Sequence, residues 1–418
     1  MKPILILKKH PIKSISLFIA LILMWFLSPF YMYAAYNGFL PMPPSLHFEI
    51  PENAPKMEKF SNEITAELGE NWIDLLEEHR QSINAPSLSA SIFHKNEVIW
   101  SGATGWADVE AEIPATPNTK YRIGSTAKAI TSAGLARLVD EGIIQLDAPI
   151  SKYMKNLPNP DWENITPRQL ASHMAGLPGY SDNGDLIGLY KSTSLSTRYE
   201  DVIEALEIFD GSDLMFEPGT NFHYTTFSTV LLSAVMQSAT NKPYLDVMKT
   251  QVFSELEMHN TEAEYAISSK NKAKFYWNND GASNQVTEWG DVDLSHRLAG
   301  GGFLSTSTDL VRLAGGFMNG DFIQEKTRNT FWTPQKLPNG EVNNEKYALG
   351  WRVYNAVHDD LNGTIGINHG GISRGAQSWL VIYPEHDLAI AVNINSKTDE
   401  FWDFRKIAEQ LAADVVNQ

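Results

Sequence analysis

The sequence predicts an α+β fold: an antiparallel β-sheet flanked by helices, with a mainly helical lobe beside it. Three observations predict it. Short apolar runs around turn formers lie near both ends of the body, at Ser89 to Phe93 and Val98 to Ala103 around Lys95-Asn96, and at Ser378 to Tyr383 and Ala389 to Asn393 around Pro384-Glu385-His386-Asp387. Phe404, Ile407, Leu411 and Val415 recur at helical spacing, so the chain closes on an amphipathic helix able to cover a sheet. The stretch from Ser125 to about Gly300 reads as mainly helical. Strands at both chain ends imply one sheet built from N- and C-terminal parts, with the middle as a second lobe and a site in the cleft between them.

At the N-terminus, Ser14 to Tyr36 is a run of 23 residues without a charge, enough at about 1.5 Å per residue to cross about 30 Å of hydrocarbon. Lys2, Lys8, Lys9 and Lys13 precede it and the first acidic residue is Glu49. Residues 1–13 therefore read as a cytoplasmic basic tail and 14–36 as a signal-anchor that exports the rest of the chain. A cleaved signal peptide with its apolar stretch at Leu17 to Leu27 is the competing reading. Cleavage after Ala34 or Ala35 would put Met32 or Tyr33 where a small side chain is wanted, which favours retention. Tyr31, Tyr33 and Tyr36 suit an aromatic belt at the outer interface. Pro41-Met42-Pro43-Pro44 reads as an extended spacer within 37–52, lifting a body of residues 53–418 off the bilayer.

The chemistry begins at Arg122-Ile123-Gly124-Ser125-Thr126-Ala127-Lys128, which opens an apolar-periodic helix through Ile130, Leu135, Leu138 and Val139. Side chains at i and i+3 share a helix face, so the Lys128 ammonium can reach the Ser125 hydroxyl. A serine hydroxyl is nearly inert at neutral pH until a base takes its proton, and a partly desolvated lysine is such a base or lowers the pKa of one. At a helix N-terminus, Ser125 also has free backbone N–H groups beside a developing oxyanion. A serine N-cap followed by a solvent-facing lysine gives the same four letters, so the surrounding sequence decides.

The surrounding runs include Trp100-Ser101-Gly102, Gly105-Trp106-Ala107-Asp108, Pro117-Asn118-Thr119, Leu138-Val139-Asp140-Glu141-Gly142, Leu146-Asp147-Ala148-Pro149-Ile150, Thr166-Pro167-Arg168-Gln169-Leu170 and Ser172-His173-Met174-Ala175-Gly176-Leu177-Pro178-Gly179. With the Ser125 motif they make Pro86 to Tyr180 resemble the serine β-lactamase and penicillin-binding-protein family, in its class C and esterase-like branch. The resemblance implies a β-lactamase/transpeptidase-like fold with Ser125 as nucleophile. The family's Tyr-x-Asn motif is matched by Tyr224-Thr225-Thr226, ahead of a helical pattern through Val230, Leu231, Leu232, Val235 and Met236. Tyr224 would then carry the proton between Ser125 and the leaving group, while Thr226 stands where the family grips a substrate amide. The Lys-Thr-Gly or His-x-Gly motif is matched by His369-Gly370-Gly371. These residues would line the substrate, and the following Ile372 N–H would complete an oxyanion hole with that of Ser125. His369 in place of a lysine weakens the grip on a carboxylate.

Other patterns are quieter. Ser181-Asp182-Asn183 has the letters of a class A second motif but sits among turn formers, so it reads as a loop. Gly300-Gly301-Gly302 resembles the family's glycine-rich turn before a helix begun by Ser307-Thr308-Asp309, a structural element at a wall of the site. The 11 histidines show no His-x-His or His-Glu-x-x-His spacing and no phosphate-cradling glycine run occurs, so neither metal nor cofactor is expected. A net charge of -17 argues against nucleic acid as a partner, and the absence of cysteine excludes disulfide stapling. The sequence therefore points to a single-pass bacterial inner-membrane protein whose extracytoplasmic body is a serine hydrolase acting on an ester or amide of a small molecule or peptide. A true β-lactamase or D-alanyl-D-alanine carboxypeptidase is the alternative enzyme, and a non-catalytic penicillin-recognising sensor or scaffold the contrasting class. The oligomeric state stays open.

Overall fold

The computed structural model describes residues 11–418 except 63, 265–268, 279–283 and 399–401. Lys2, Lys8 and Lys9 of the basic tail lie outside the described residues. The first element, α1 (Pro11–Tyr36), contains the apolar run. Its segment Ile15–Tyr36 is long and apolar enough to cross a membrane. Its far end lies on the body. Tyr36 Oη donates to Ser373 O at 2.5 Å, the Arg374 guanidinium lies 3.8 Å from the centre of its ring, and Trp289 meets it edge-on at 5.2 Å. Tyr36, expected at a lipid interface, thus packs on protein.

The segment expected as a free spacer is also bound. Phe48–Glu49 pairs antiparallel with Gln285–Val286, Ser45 and His47 reach the Thr287 hydroxyl at 3.4 and 2.9 Å, and Ile50 is buried. The prolines keep the chain extended, and its apolar side chains find cover on the nearby body instead of holding it away.

The body is built on an antiparallel sheet. Strands β1 (Lys56–Phe60), β2 (Ser87–His94), β3 (Glu97–Asp108), β4 (Arg352–Asn355), β5 (Ile365–Ser373), β6 (Ala376–Tyr383) and β7 (Leu388–Ile394) stand in the order β4-β5-β6-β7-β2-β3-β1, and Ile113–Pro114 pairs with β3 as an eighth strand. The β7–β2 pairing joins the C-terminal strands to the N-terminal ones. Lys95 and Asn96 both take positive φ, 47° and 71°, the two-residue turn whose twist suits a hairpin. The longer helices of the body are α2 (Ala66–Ser82), α3 (Ala127–Asp140), α4 (Leu186–Ser194), α5 (Thr226–Thr240), α6 (Ser307–Met318) and α7 (Asp403–Val416).

Alternation along the strands separates two cores. Leu388, Ile390, Val392 and Ile394 of β7 pack with Trp72 of α2 and with Phe404, Ile407 and Leu411 of α7. Ala389 and Ala391 face Val311 and Leu313 of α6 and the α3 residue Ile130. Small side chains on this second face let α6 approach closely, and its Ser307 hydroxyl meets those of Ser89 and Ser91 at 2.8 and 2.9 Å. Each large aliphatic side chain buried this way contributes about 1.5–3 kcal/mol. A slip of one residue would exchange the bulky and the small face, so the pattern fixes the register.

The second lobe is less regular than expected. Between Asp140 and Thr226 the α-helices are Pro167–Ala171 and α4, with short 3₁₀ turns elsewhere. Pro149, Pro158, Pro160, Pro167 and Pro178 recur too often there for long helices. Two pairings position the site. Tyr121–Arg122 pairs with Leu304–Ser305, which sets the turn before α3 beside Gly300–Gly302. Strand β4 covers β5 only up to Asn368, so the edge beyond it is open to that turn.

Candidate active site

Ser125 lies in the 3₁₀ turn Gly124–Thr126 that feeds directly into α3. One turn on, Lys128 is buried and donates from Nζ to Ser125 Oγ at 3.0 Å, to Thr226 Oγ1 at 3.3 Å and to Gly300 O at 2.9 Å. All three acceptors are uncharged. Burial strips the ammonium of water and holds the Lys128 pKa below that of an ordinary lysine; the Tyr224 phenol opposes this, and Arg352 and Arg297 reinforce it.

Tyr224 immediately precedes α5. The Thr225 hydroxyl caps that helix by accepting from Phe227 N at 3.2 Å and donates to Pro178 O at 2.6 Å, which pins the loop carrying the phenol. The Tyr224 ring is approached by two cations, Lys128 Nζ at 5.0 Å and Arg352 Cζ at 4.7 Å from its centre. Burial alone would raise the phenol pKa. The charges of Lys128 and Arg352, together with hydrogen bonding to Ser125 and Lys128, outweigh it and bring the pKa below that of an ordinary tyrosine.

The Ser125 turn and β5 touch backbone to backbone, which only glycine permits. A Cβ on Gly371 would fall 1.9 Å from Ile123 O and 2.7 Å from Ser125 N. Gly124 has φ 50°, and a Cβ there would fall 2.7 Å from Ile372 N. The backbone N–H groups of Ser125 and Ile372 thus belong to one contact. Behind it, Arg122 forms a buried ion pair with Glu264 at 2.7 Å and donates to Arg374 O at 2.7 Å, joining the turn to the end of β5.

Ser125 and Tyr224 open on a cavity of about 530 Å³, lined also by Glu345, Arg352, Asn368, Gly370, Ile372, Trp379 and Trp402. On β5 residues 368, 370 and 372 face it, so by the two-residue period of a strand 369 and 371 face away. His369 is accordingly buried and lines no part of the cavity. Its Nδ1 donates to Gly370 O at 2.8 Å, so Nε2 accepts from the Tyr347 hydroxyl at 2.9 Å. Burial, with the charges of Arg352 and Lys128 behind it, drives the His369 pKa well below the usual range and keeps the ring neutral. The expectation that His369 meets a substrate is therefore corrected, because the strand period that gives Gly370 to the cavity turns His369 under its floor. Thr226 is half-buried. Its hydroxyl accepts from Lys128 rather than lining the cavity.

The cation that does line the cavity is Arg352, opposite Asn368 across the β4–β5 ladder. Glu345 pairs with it at 2.5 Å. Nothing in Leu349-Gly350-Trp351-Arg352 marked it, since the reach of an irregular loop before β5 is not a sequence pattern. Gly300 was read as structural, yet its carbonyl holds Lys128, and a Cβ there would come within 2.7 Å of Thr226 Cγ2. Ser181 and Asp182 are exposed on a loop outside the cavity, and Asn183 turns inward to Ile208 O at 2.8 Å.

A Ser-x-x-Lys turn packed against an antiparallel sheet, with a tyrosine before the next long helix, defines the penicillin-recognising class of serine hydrolase folds. Residues 72–414 match the Beta-lactamase family model, and the chain belongs to that family. It is 27% identical over 397 residues to the human mitochondrial serine beta-lactamase-like protein LACTB, covering 75% of this chain and 71% of that protein. It is 27% identical over 358 residues to Protein flp of Staphylococcus aureus (strain MW2), covering 82% and 66%. Among solved structures, the octameric penicillin-binding protein homologue of Pyrococcus abyssi superposes with a TM-score of 0.66 at 22% identity over 84% of this chain and 77% of that one. The D-amino acid amidase of Ochrobactrum anthropi SV3 gives 0.66 at 22% identity over 83% and 97%. These two share the fold.

Proposed function

We propose that the chain is a serine acyl hydrolase of esterase-like type, held at a membrane by α1. The observation that carries this reading is the buried Lys128 ammonium, 3.0 Å from Ser125 Oγ and facing only uncharged acceptors. Lys128 also hydrogen-bonds the Tyr224 phenol, so its part is to supply positive charge beside that group. Tyr224, in the phenolate form that its lowered pKa favours, takes the proton as Ser125 Oγ attacks the carbonyl carbon. The Ser125 and Ile372 N–H groups receive the oxyanion, each donor being worth about 3 kcal/mol in the transition state. Collapse expels the leaving group, to which Tyr224 returns the proton. Water then attacks the acyl-enzyme by the same route and frees Ser125.

Ile372, Trp379 and Trp402 give the cavity apolar walls, and the charge of Arg352 is already matched by Glu345. Uncharged acyl esters suit that lining. The test compares kcat/KM on a panel of p-nitrophenyl esters, a chromogenic cephalosporin and D-Ala-D-Ala peptides. Esters should rank first, and a cephalosporin turned over faster than every short-chain ester would overturn the reading. A second reading, an amidase or peptidase acting on a substrate with a free carboxylate, is favoured by Arg352, and a D-stereospecific amidohydrolase and a D-amino acid amidase share this fold.

A further inference from the structure

We infer that α4 seats the catalytic body in the near leaflet of the bilayer that α1 crosses, a statement that rests on the reading of α1 as a membrane span. The argument is first one of length. Residues 15–28 of α1 are exposed, Phe26 included although one face of its ring meets Tyr190, whereas from Pro29 to Tyr36 all but Tyr31 are covered in part or whole by the body. Fourteen exposed residues at 1.5 Å each reach about 21 Å, against about 30 Å of hydrocarbon. Only Ser14 stands between them and Lys13, so the exposed segment can be lengthened on that side by one residue at most without burying a charge. Nor is the docked half free to peel away, because Tyr36 is held by Ser373 O and the Arg374 guanidinium. For the span to be complete while the body stays docked, the surface around Pro29 must itself sink about 9 Å into the leaflet.

The element found at that level is α4. Tyr190 stacks on Phe26 with ring centres 4.7 Å apart and planes 9° from parallel, and meets Phe30 at 5.9 Å. Leu186 and Ile187, four and three residues before Tyr190 and so on the same helix face, are 76% and 69% exposed. Apolar side chains that bare are costly in water and covered in acyl chains. They continue the lipid-facing surface of α1 at the depth the length argument requires. Asp185, beside them, turns its carboxylate onto the N–H groups of Ile187 and Gly188 as the helix cap, each at 2.9 Å. The surface is therefore one continuous strip, with the bilayer as its partner.

The chain has no cysteine, so single cysteines in the full-length protein report one place each. Leu186→Cys and Ile187→Cys, with Met24→Cys on α1 and Asn339→Cys in an exposed loop, would be labelled with nitrobenzoxadiazole. The labelled proteins would be reconstituted in phosphatidylcholine–phosphatidylglycerol vesicles carrying nitroxide on the acyl chains. The labels at 186 and 187 should be quenched by the lipid nitroxide several-fold more than the label at 339, and be shielded from aqueous iodide. If the label at 24 is quenched while those at 186 and 187 behave like the one at 339, the seat is overturned with the span intact. If the label at 24 is itself open to iodide and untouched by nitroxide, α1 is no span and the seat fails with it.

Discussion

Two cations approach the ring of Tyr224 at nearly the same distance, and they differ in almost everything else. Lys128 on the floor of the site is buried, meets only uncharged acceptors, and has its pKa pulled down by lost hydration. Arg352 at the mouth is paired with a carboxylate, and although burial works against its charge, Tyr224, Tyr347 and Glu345 raise its pKa. Both lower the pKa of the phenol. The floor holds a charge balanced by the Tyr224 phenol and by no carboxylate among the described residues, an arrangement that suits chemistry. The mouth holds one that has been compensated and is left for adjustment.

The largest effect should therefore come from the floor. Ser125→Ala should reduce ester hydrolysis to background, and Lys128→Met and Tyr224→Phe should each lose on the order of a hundredfold or more in kcat, as members of one proton-transfer unit do. Thermal denaturation adds a second readout: Lys128→Met removes a buried ammonium that no carboxylate among the described residues pairs, so its Tm should equal or exceed that of the wild type. A Lys128→Met protein that keeps most of its turnover, or that loses activity only because it unfolds, would break the contrast between floor and mouth.

Next in size is the contact that aligns the two backbones. Gly371→Ala places a methyl 1.9 Å from Ile123 O and 2.7 Å from Ser125 N, so the turn and β5 must separate. Losing one oxyanion donor costs about a hundredfold or more in kcat, whereas overpacking at a single site costs about 1–3 kcal/mol in stability. Activity should fall far more than Tm, with KM for a small ester little changed. A variant with wild-type kcat would mean that Ile372 N–H is not a donor to the oxyanion.

Arg352 tests the field at the mouth. With Tyr224 as base, kcat/KM rises with pH as the phenol loses its proton, along a limb that lies below the ordinary tyrosine value of 10.0 because the folded pKa is lowered. Arg352→Met removes a positive charge that stabilises the phenolate, so the phenol becomes a weaker acid and the limb must move to higher pH. At neutral pH the variant should be slower, and the deficit should shrink as pH rises. A limb that stays in place, or moves to lower pH, would show that the two cations do not act on one phenol.

Floor and mouth also differ in how much of each was legible in the sequence. Tyr224 was marked by the family resemblance of its motif, whereas the Ser125–Lys128 spacing follows from helix periodicity, a local rule. The two hairpins and α7 were legible for the same reason, since turn formers and alternation act over a few residues. His369 could be located but not oriented, because Gly370 and Gly371 carry no side chains to reveal which way the strand's two-residue period runs. Arg352 was invisible: its place in the cavity depends on the pairing of β4 with β5 across an irregular loop. The spacer was misread because proline dictates an extended chain without saying what it lies against.

The smallest effect is expected at Glu345. Its carboxylate meets Arg352 at 2.5 Å, with side chains 37% and 26% exposed, and ion pairs in contact with water are worth about 0–1 kcal/mol. A substrate carboxylate could therefore displace Glu345 from the guanidinium at little cost, and removing Glu345 beforehand should help it do so. Glu345→Gln should improve kcat/KM for an ester bearing a free carboxylate by a few-fold, mainly through KM, and leave an uncharged ester of the same chain length unchanged. In Arg352→Met the preference between those two substrates should disappear, and Glu345→Gln added to it should change nothing further. If Glu345→Gln instead accelerates both esters alike, Arg352 acts only through Tyr224 and the mouth has no part in choosing the substrate.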